Sequence, residues 1–203
     1  MKYLFYFTFF CTILAFSNCA TNYKTFKVSE LSFSATEIKD SVVFSFQDKI
    51  LNKTRNYKFD RKAKDFGYRV VALKITNLTD TVLRLHENYN FYLDSSEIVL
   101  LHPGIMKKKI GHFAPGFLLY LALTPLKIFL IYTNETRVIP VGFLLGPLVA
   151  LGNMAKGATA SKELEKHLLE NDLTFKSILK GETVYGIISF KNKSDKPVSL
   201  RVK

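Results

Sequence analysis

Few residues in this chain offer a start for chemistry. It holds two cysteines, Cys11 and Cys19, and four histidines, His86, His102, His112 and His167. A cysteine sulfur can serve as nucleophile, metal ligand, disulfide partner or acyl acceptor. Cys11 lies inside an apolar stretch and Cys19 closes it. Removal of residues 1–18 would make Cys19 the first residue and leave no second thiol. Disulfides, thiolate metal sites and cysteine catalysis are then excluded by the count. None of the histidines falls in H-E-x-x-H or another metal spacing, and His86-Glu87 and His102-Pro103 read as polar strand ends. There is no G-x-S-x-G, no phosphate-cradling glycine loop and no EF-hand pattern. Carboxylates are sparse and unpaired. The expectation is no catalytic residue, no metal and no cofactor. Asn-x-Ser/Thr occurs at Asn52, Asn77, Asn134 and Asn192; these would be glycan acceptors in a eukaryotic secreted protein, and would reflect composition alone in a bacterial chain rich in Asn and Thr, the reading adopted.

What remains for Cys19 is modification. Lys2 supplies a positive n-region, Tyr3 to Phe16 an apolar run, and Ser17-Asn18 lead into Cys19. This is the layout of a secretory leader, too short for an ordinary span of about 20 apolar residues. The Cys placement resembles the lipobox of bacterial lipoproteins, in which the sulfur receives a diacylglyceryl group and the leader is cut before it. Phe16 stands where that motif usually has Leu, and Asn18 where it has Gly, Ala or Ser. Cleavage as a plain secreted protein and retention as an uncleaved anchor are the alternatives. Lipidation at Cys19 is the reading adopted, with residues 1–18 a signal peptide and 19–24 a polar tether.

A second feature is apolar. Phe113 to Tyr132 and Val138 to Met154 are long hydrophobic runs, broken by Pro115, Pro125, Lys127, Pro140 and Pro147 and joined by the polar connector 133–137. As helices they would reach about 30 Å and 25 Å, so only the first matches a hydrocarbon core. Gly142 and Gly146 form a G-x-x-x-G that lets helices approach closely. The expected lipid-facing side chains are Phe117, Leu118, Leu121, Phe129, Phe143, Leu144 and Leu148. The hairpin either enters lipid, with Lys107 to Lys109 and Lys156 at the headgroups, or folds back over the rest of the protein. Membrane contact is favoured, because two stretches this apolar all round are rare in water. Basic flanks outside the cytoplasm oppose the positive-inside rule for inner-membrane spans. A shallow re-entrant hairpin, or an outer membrane, removes the conflict.

Around this insertion the sequence alternates in the manner of strands. Val42, Phe44 and Phe46 share one face. Tyr68 to Thr76 is β-branched-rich and ends at the turn formers Asn77-Leu78-Thr79-Asp80, so 68–85 reads as a hairpin. Tyr89 to Leu93, Ile98 to Leu101, Thr183 to Phe190 and Val198 to Val202 complete the set. Residues 48–65 are polar and basic and read as a solvated loop or frayed helix, or as a contact patch for anionic headgroups. Residues 162–170 are amphipathic, with Leu164 and Leu168 four apart. The fold expected is mainly β with an α insertion: a β-sandwich over 25–104, an apolar helical hairpin and amphipathic helix over 105–171, and closing strands over 172–203.

Composition agrees with a globular body. The chain has 203 residues, 48% hydrophobic and 23% charged, with net charge +12. The positive surplus favours anionic surfaces, unless it only reflects genome composition. Export makes nucleic acid the weaker choice of partner.

The stretches YRVVALKITNLT (68–79), IPVGFLLGPLVALGNMAKG (139–157) and ILKGETVYGIISF (178–190) resemble a group of uncharacterised envelope lipoproteins of Bacteroidota-type bacteria. The first and third also resemble immunoglobulin-like domains of exported proteins. The resemblance implies location and fold, not activity. The resulting expectation is a lipid-anchored Ig-like β-sandwich outside the cytoplasm, the outer membrane favoured, with a structural or interaction role. Its partners are membrane lipid and possible envelope proteins, the oligomeric state being open. The rivals are a hydrolase acting on envelope lipid or glycan, and an accessory subunit of a membrane complex. Clustering of His102, His112, Glu163 and His167 would favour the enzyme.

Overall fold

The computed structural model describes residues 19–33, 35–39, 41–85, 87–131 and 135–202. The expected leader (1–18), His86 and part of the 133–137 connector lie outside the described residues. In chain order the first strands are β1 (Ala35–Lys39) and β2 (Val42–Gln47), followed by the short helices α1 (Ile50–Lys53) and α2 (Tyr57–Phe66). Next come β3 (Tyr68–Asn77), β4 (Leu83–Arg84), β5 (Tyr89–Leu93), β6 (Ser96–Glu97) and helix α3 (Pro103–Ile110). A 3-10 segment (Ala114–Leu123), β7 (Ile128–Ile131), β8 (Thr136–Ile139) and the long helix α4 (Val141–Glu170) follow. Strands β9 (Ser177–Ile178), β10 (Thr183–Lys191) and β11 (Val198–Val202) end the chain. Among the described residues the chain divides into two compact units. One takes residues 19–22 and His112–Ser161, the other Tyr23–Gly111 and residues 162–202.

The larger unit holds an antiparallel sheet in the order β1-β2-β3-β10, a smaller one in the order β11-β5-β6, and the pair β4-β9. Period-2 alternation sends Phe44, Val71, Leu73, Ile75 and Ile188 of the first sheet into one apolar cluster. Phe91, Leu93, Val198 and Leu200 of the second sheet enter the same cluster, with Leu83, Leu173 and Ile178. The opposite face of β3 is buried too, at Val70 and Ala72, and α1 and α2 pack on that strand. Cover on both faces is why β3 reads as a nearly unbroken apolar run.

Several expectations change here. The protein is mixed α and β, with several small antiparallel sheets and one long helix, rather than mainly β. Residues 68–85 do not form a hairpin, because β3 pairs with β2 and β10 while β4 pairs with β9. The Asn77 amide donates to Thr81 O at 2.8 Å and Ile178 O at 2.9 Å, and so turns the chain away from β3 toward β9. The basic segment 48–65 is largely helical. Phe59 and Ala63, four residues apart, give α2 a buried face that the charges around them obscure in the sequence. Gly67 ends that helix at φ +71°, its N–H donating to carbonyls of the last turn.

The apolar insertion is not a helical hairpin. The first run forms the 3-10 segment and then β7 paired antiparallel with β8, Phe129 opposite Val138 and Ile128 opposite Ile139. Pro115 and Pro125 interrupt a regular α-helix there, and β-branched Ile128 and Ile131 favour extension. The second run continues without a break into the amphipathic segment as α4, with Pro147 inside it. Within 19–24, the segment expected as a polar tether, Ala20 and Tyr23 are buried.

Two polar devices fix the larger unit. Arg69 is buried and donates to Ser194 O (2.7 Å), Lys196 O (2.9 Å) and Asp48 Oδ2 (2.6 Å), tying β3 to the approach of β11. Asn56 pairs with the backbone of Lys24 in both directions, at 2.8 and 2.9 Å.

Candidate membrane-contact unit

The smaller unit contains Cys19, a half-buried free cysteine. The chain leaving it is held at two points. Ala20 N donates to Asn153 Oδ1 at 2.8 Å, and the Asn153 amide donates to Val149 O at 3.0 Å within α4. Thr21 O accepts from His112 Nε2 at 3.1 Å, which requires the proton on Nε2 because a carbonyl can only accept. His112 N in turn donates to Ser161 Oγ at 2.8 Å, and that hydroxyl donates to Gly157 O. Burial raises the pKa of the Tyr120 hydroxyl, and the nearby Cys19 sulfur adds to the effect. Asn153 and His112, far apart in sequence, thus fix the backbone next to the sulfur.

Glycines let the 3-10 segment lie directly on α4. A Cβ at Gly142 would stand 2.1 Å from Leu123 O, and one at Gly146 would stand 2.8 Å from Thr124 Oγ1. The two glycines therefore receive a neighbouring backbone, although that neighbour is a 3-10 turn rather than a second helix.

Outward, the unit is apolar. Leu118, Leu121, Phe129, Phe143, Leu144 and Leu148 are exposed, Phe143 at 74%. Phe117 is the exception among the sequence-predicted contact residues. It is half-buried, stacked on Tyr120 with ring centroids 6.4 Å apart and 6.2 Å from His112. Phe113, Leu119, Ile131 and Leu151, which sequence reasoning did not single out, are exposed as well, Leu119 at 80%. Their signal was present in the same apolar runs, but without the fold no face could be assigned. A fully exposed large apolar side chain forgoes about 1.5–3 kcal/mol of burial, so these ten, between 43% and 80% exposed, leave roughly 10–20 kcal/mol unmet. Helix α4 is, among the described residues, the one helix long and apolar enough to cross a bilayer by length and composition.

Among the described residues, strands β7 and β8 pair only with each other, and all eight of their residues are exposed. Ile128, Leu130 and Ile139 lie on one face and Phe129, Ile131 and Val138 on the other. A two-stranded ribbon with two apolar faces is marginal in water without cover.

In the larger unit the two described histidines, His102 and His167, are each engaged in structural hydrogen bonds. His102 Nδ1 accepts from Gly104 N at 3.1 Å and caps α3. His167 belongs to the larger unit and is engaged at both nitrogens. The Tyr23 hydroxyl donates to Nδ1 and Nε2–H donates to Phe26 O, each at 2.8 Å. Burial holds the His167 pKa below its ordinary value, against the opposing effects of the Phe26 carbonyl and Glu170, and burial also raises the Tyr23 hydroxyl. Glu163 is exposed. Among the described residues no group of three or more His, Cys, Asp or Glu side chains stands close enough to hold a metal ion.

Compared with known proteins, the chain matches no family model, no curated sequence and no solved structure.

Proposed function

We propose that this is a membrane-anchored lipoprotein of the bacterial cell envelope, acylated at Cys19, whose smaller unit rests in the membrane surface while the larger unit serves in interaction or support. One observation carries the reading. The residue that would bear the acyl chains and the exposed apolar surface belong to the same compact unit, joined through Ala20 and Asn153. Acyl chains on a sulfur held there would enter lipid beside side chains that themselves need apolar surroundings. The resemblance to envelope lipoproteins and the leader-like N-terminus point the same way, to a site outside the cytoplasm, with the outer membrane favoured by the charge flanks.

The depth of contact follows from the hairpin. The outer edges of β7 and β8 carry backbone N–H and C=O groups that hydrocarbon cannot satisfy. Four-residue strands are also far short of the roughly 9–11 residues a spanning strand needs. The hairpin therefore belongs at headgroup depth. Its open edges and two apolar faces also favour a second reading, an accessory subunit that pairs this ribbon with a strand of a membrane complex.

For the larger unit we favour an Ig-like sandwich. It is supported by two antiparallel sheets sharing one core, and by the passage of the chain from β10 in one sheet to β11 in the other.

Palmitate labelling with membrane fractionation tests the anchor. The wild-type protein should carry label and stay with membranes after carbonate washing, and Cys19→Ala should lose the label. Unlabelled wild-type protein in the soluble fraction would refute the proposal.

A further inference from the structure

Within the larger unit, α2 and α3 pack against each other. Lys62 Nζ donates to Gly111 O at 2.6 Å and so ties the middle of α2 to the C-terminus of α3. The two helices carry seven cations, Lys58, Arg61, Lys62, Lys64 and Lys107–Lys109, against two carboxylates, Asp60 and Asp65. The apolar positions Phe59 and Ala63 on α2, and Met106 and Ile110 on α3, are buried, which directs most of the charge outward. Lys107 is neutralised by Glu165 at 2.7 Å. Arg61, Lys64, Lys108 and Lys109 are exposed and, among the described residues, have no carboxylate within ion-pair distance. Burial and the charge of Lys58 together depress the Lys62 pKa, the mark of cations crowded on one surface. Ile105 is exposed among them.

We propose that this α2–α3 surface docks on the phosphates of anionic lipid headgroups. The proposal rests on the membrane reading above and deepens it: the apolar unit would supply attachment to any bilayer, and the basic surface the preference for an anionic one. Charge complementarity selects the partner. A lipid surface presents a dense array of phosphates, and each Lys or Arg close to it contributes about 1 kcal/mol, roughly a fivefold gain in affinity. Gly111 O, at the C-terminal end of α3, holds the Lys62 ammonium in place.

The test uses the mature polypeptide from residue 19 carrying Cys19→Ser and made without the leader, so that no acyl group contributes. Binding is measured to vesicles of phosphatidylcholine alone and of phosphatidylcholine with phosphatidylglycerol, at low and at physiological salt. We expect tighter binding to the anionic vesicles, weakened by salt. The variant Arg61→Gln/Lys64→Gln/Lys108→Gln/Lys109→Gln should lose at least about tenfold of the anionic affinity while its binding to neutral vesicles is unchanged. A control removes the same formal charge elsewhere on the unit, Lys176→Gln/Lys180→Gln/Lys191→Gln/Lys196→Gln, and should lose far less. Equal losses in the two variants would mean that net charge alone acts, and would overturn the proposal. So would unchanged anionic binding in the first variant, or a stronger effect on soluble polyphosphate than on vesicles. Loss of neutral-vesicle binding with the anionic preference intact would instead overturn the apolar-contact reading. Matching circular dichroism and melting temperatures show that each variant is folded.

Discussion

Ala20 N sits 2.8 Å from Asn153 Oδ1, so the residue after Cys19 is fastened to the helix that carries the exposed Phe143, Leu144 and Leu148. Asn153 is a lone amide among apolar neighbours, and both ends of its side chain are used, one on Ala20 and one on Val149. Both substitutions remove the acceptor of the Ala20 N–H; Asn153→Ala should destabilise the protein by about 1 kcal/mol, and Asn153→Leu by more, because its bulk also fills the space through which water could replace the lost oxygen. Chemical denaturation measures the loss, and limited proteolysis should show faster cleavage near residues 20–22.

The contact beneath Gly142 is steric. A methyl there would meet Leu123 O at 2.1 Å, with Leu126 N and Thr124 O at 2.6 and 2.7 Å. These are backbone atoms, which cannot rotate away. Gly142→Ala should cost about 1–3 kcal/mol by overpacking, whereas Gly152→Ala, where a Cβ meets nothing within 4 Å, should be neutral or slightly stabilising. Paired melting curves of the two variants separate the outcomes.

Stability should depend on His167 at mildly acidic pH. Its folded pKa lies below the ordinary value of 6.5, mainly through burial. Between the folded and unfolded values the unfolded chain binds more protons, so stability rises with pH there. It should be constant above about pH 7, fall as pH drops through 6.5 with a slope of at most about 1.4 kcal/mol per pH unit, and level off below the folded pKa. His167→Gln should remove this component. Denaturation midpoints between pH 5 and 8 provide the measurement, and an identical pH dependence in the variant would contradict the assignment.

Arg69 and Asp48 form the most buried ion pair among the described residues, with side chains 9% and 21% exposed. Removing one partner leaves a charge in low dielectric. Asp48→Ala should therefore destabilise by about 3 kcal/mol, while Asp48→Ala/Arg69→Met should recover part of that loss. A double-mutant cycle in urea reads the coupling directly.

Sequence alternation was enough to locate β2, β5, β10 and β11, because each keeps apolar side chains in step with a face that the fold buries, while β3 was marked instead by its β-branched run and the turn formers after it. The partners were not legible. Nothing in Thr81 to Leu85 says that it leaves β3 for β9, since that choice is made by the Asn77 amide through its bond to Ile178 O, 101 residues further along the chain. Over 48–65 the sequence left loop and frayed helix open, because the buried face of α2 is only Phe59 and Ala63 among charges. The apolar insertion was visible as apolar but not as a ribbon and one continuous helix. Hydrophobicity on every face removes the periodicity that tells helix from strand. The roles of His112, Asn153 and Ser161 depend on contacts across long sequence separations, and no spacing announced them.

Intact-mass and N-terminal peptide spectrometry of the protein purified from membranes tests the central claim most directly. The account predicts a mature chain beginning at Cys19, its mass raised by a thioether-linked diacylglyceryl group. A mature protein that begins elsewhere, or whose Cys19 is an unmodified thiol, would contradict it.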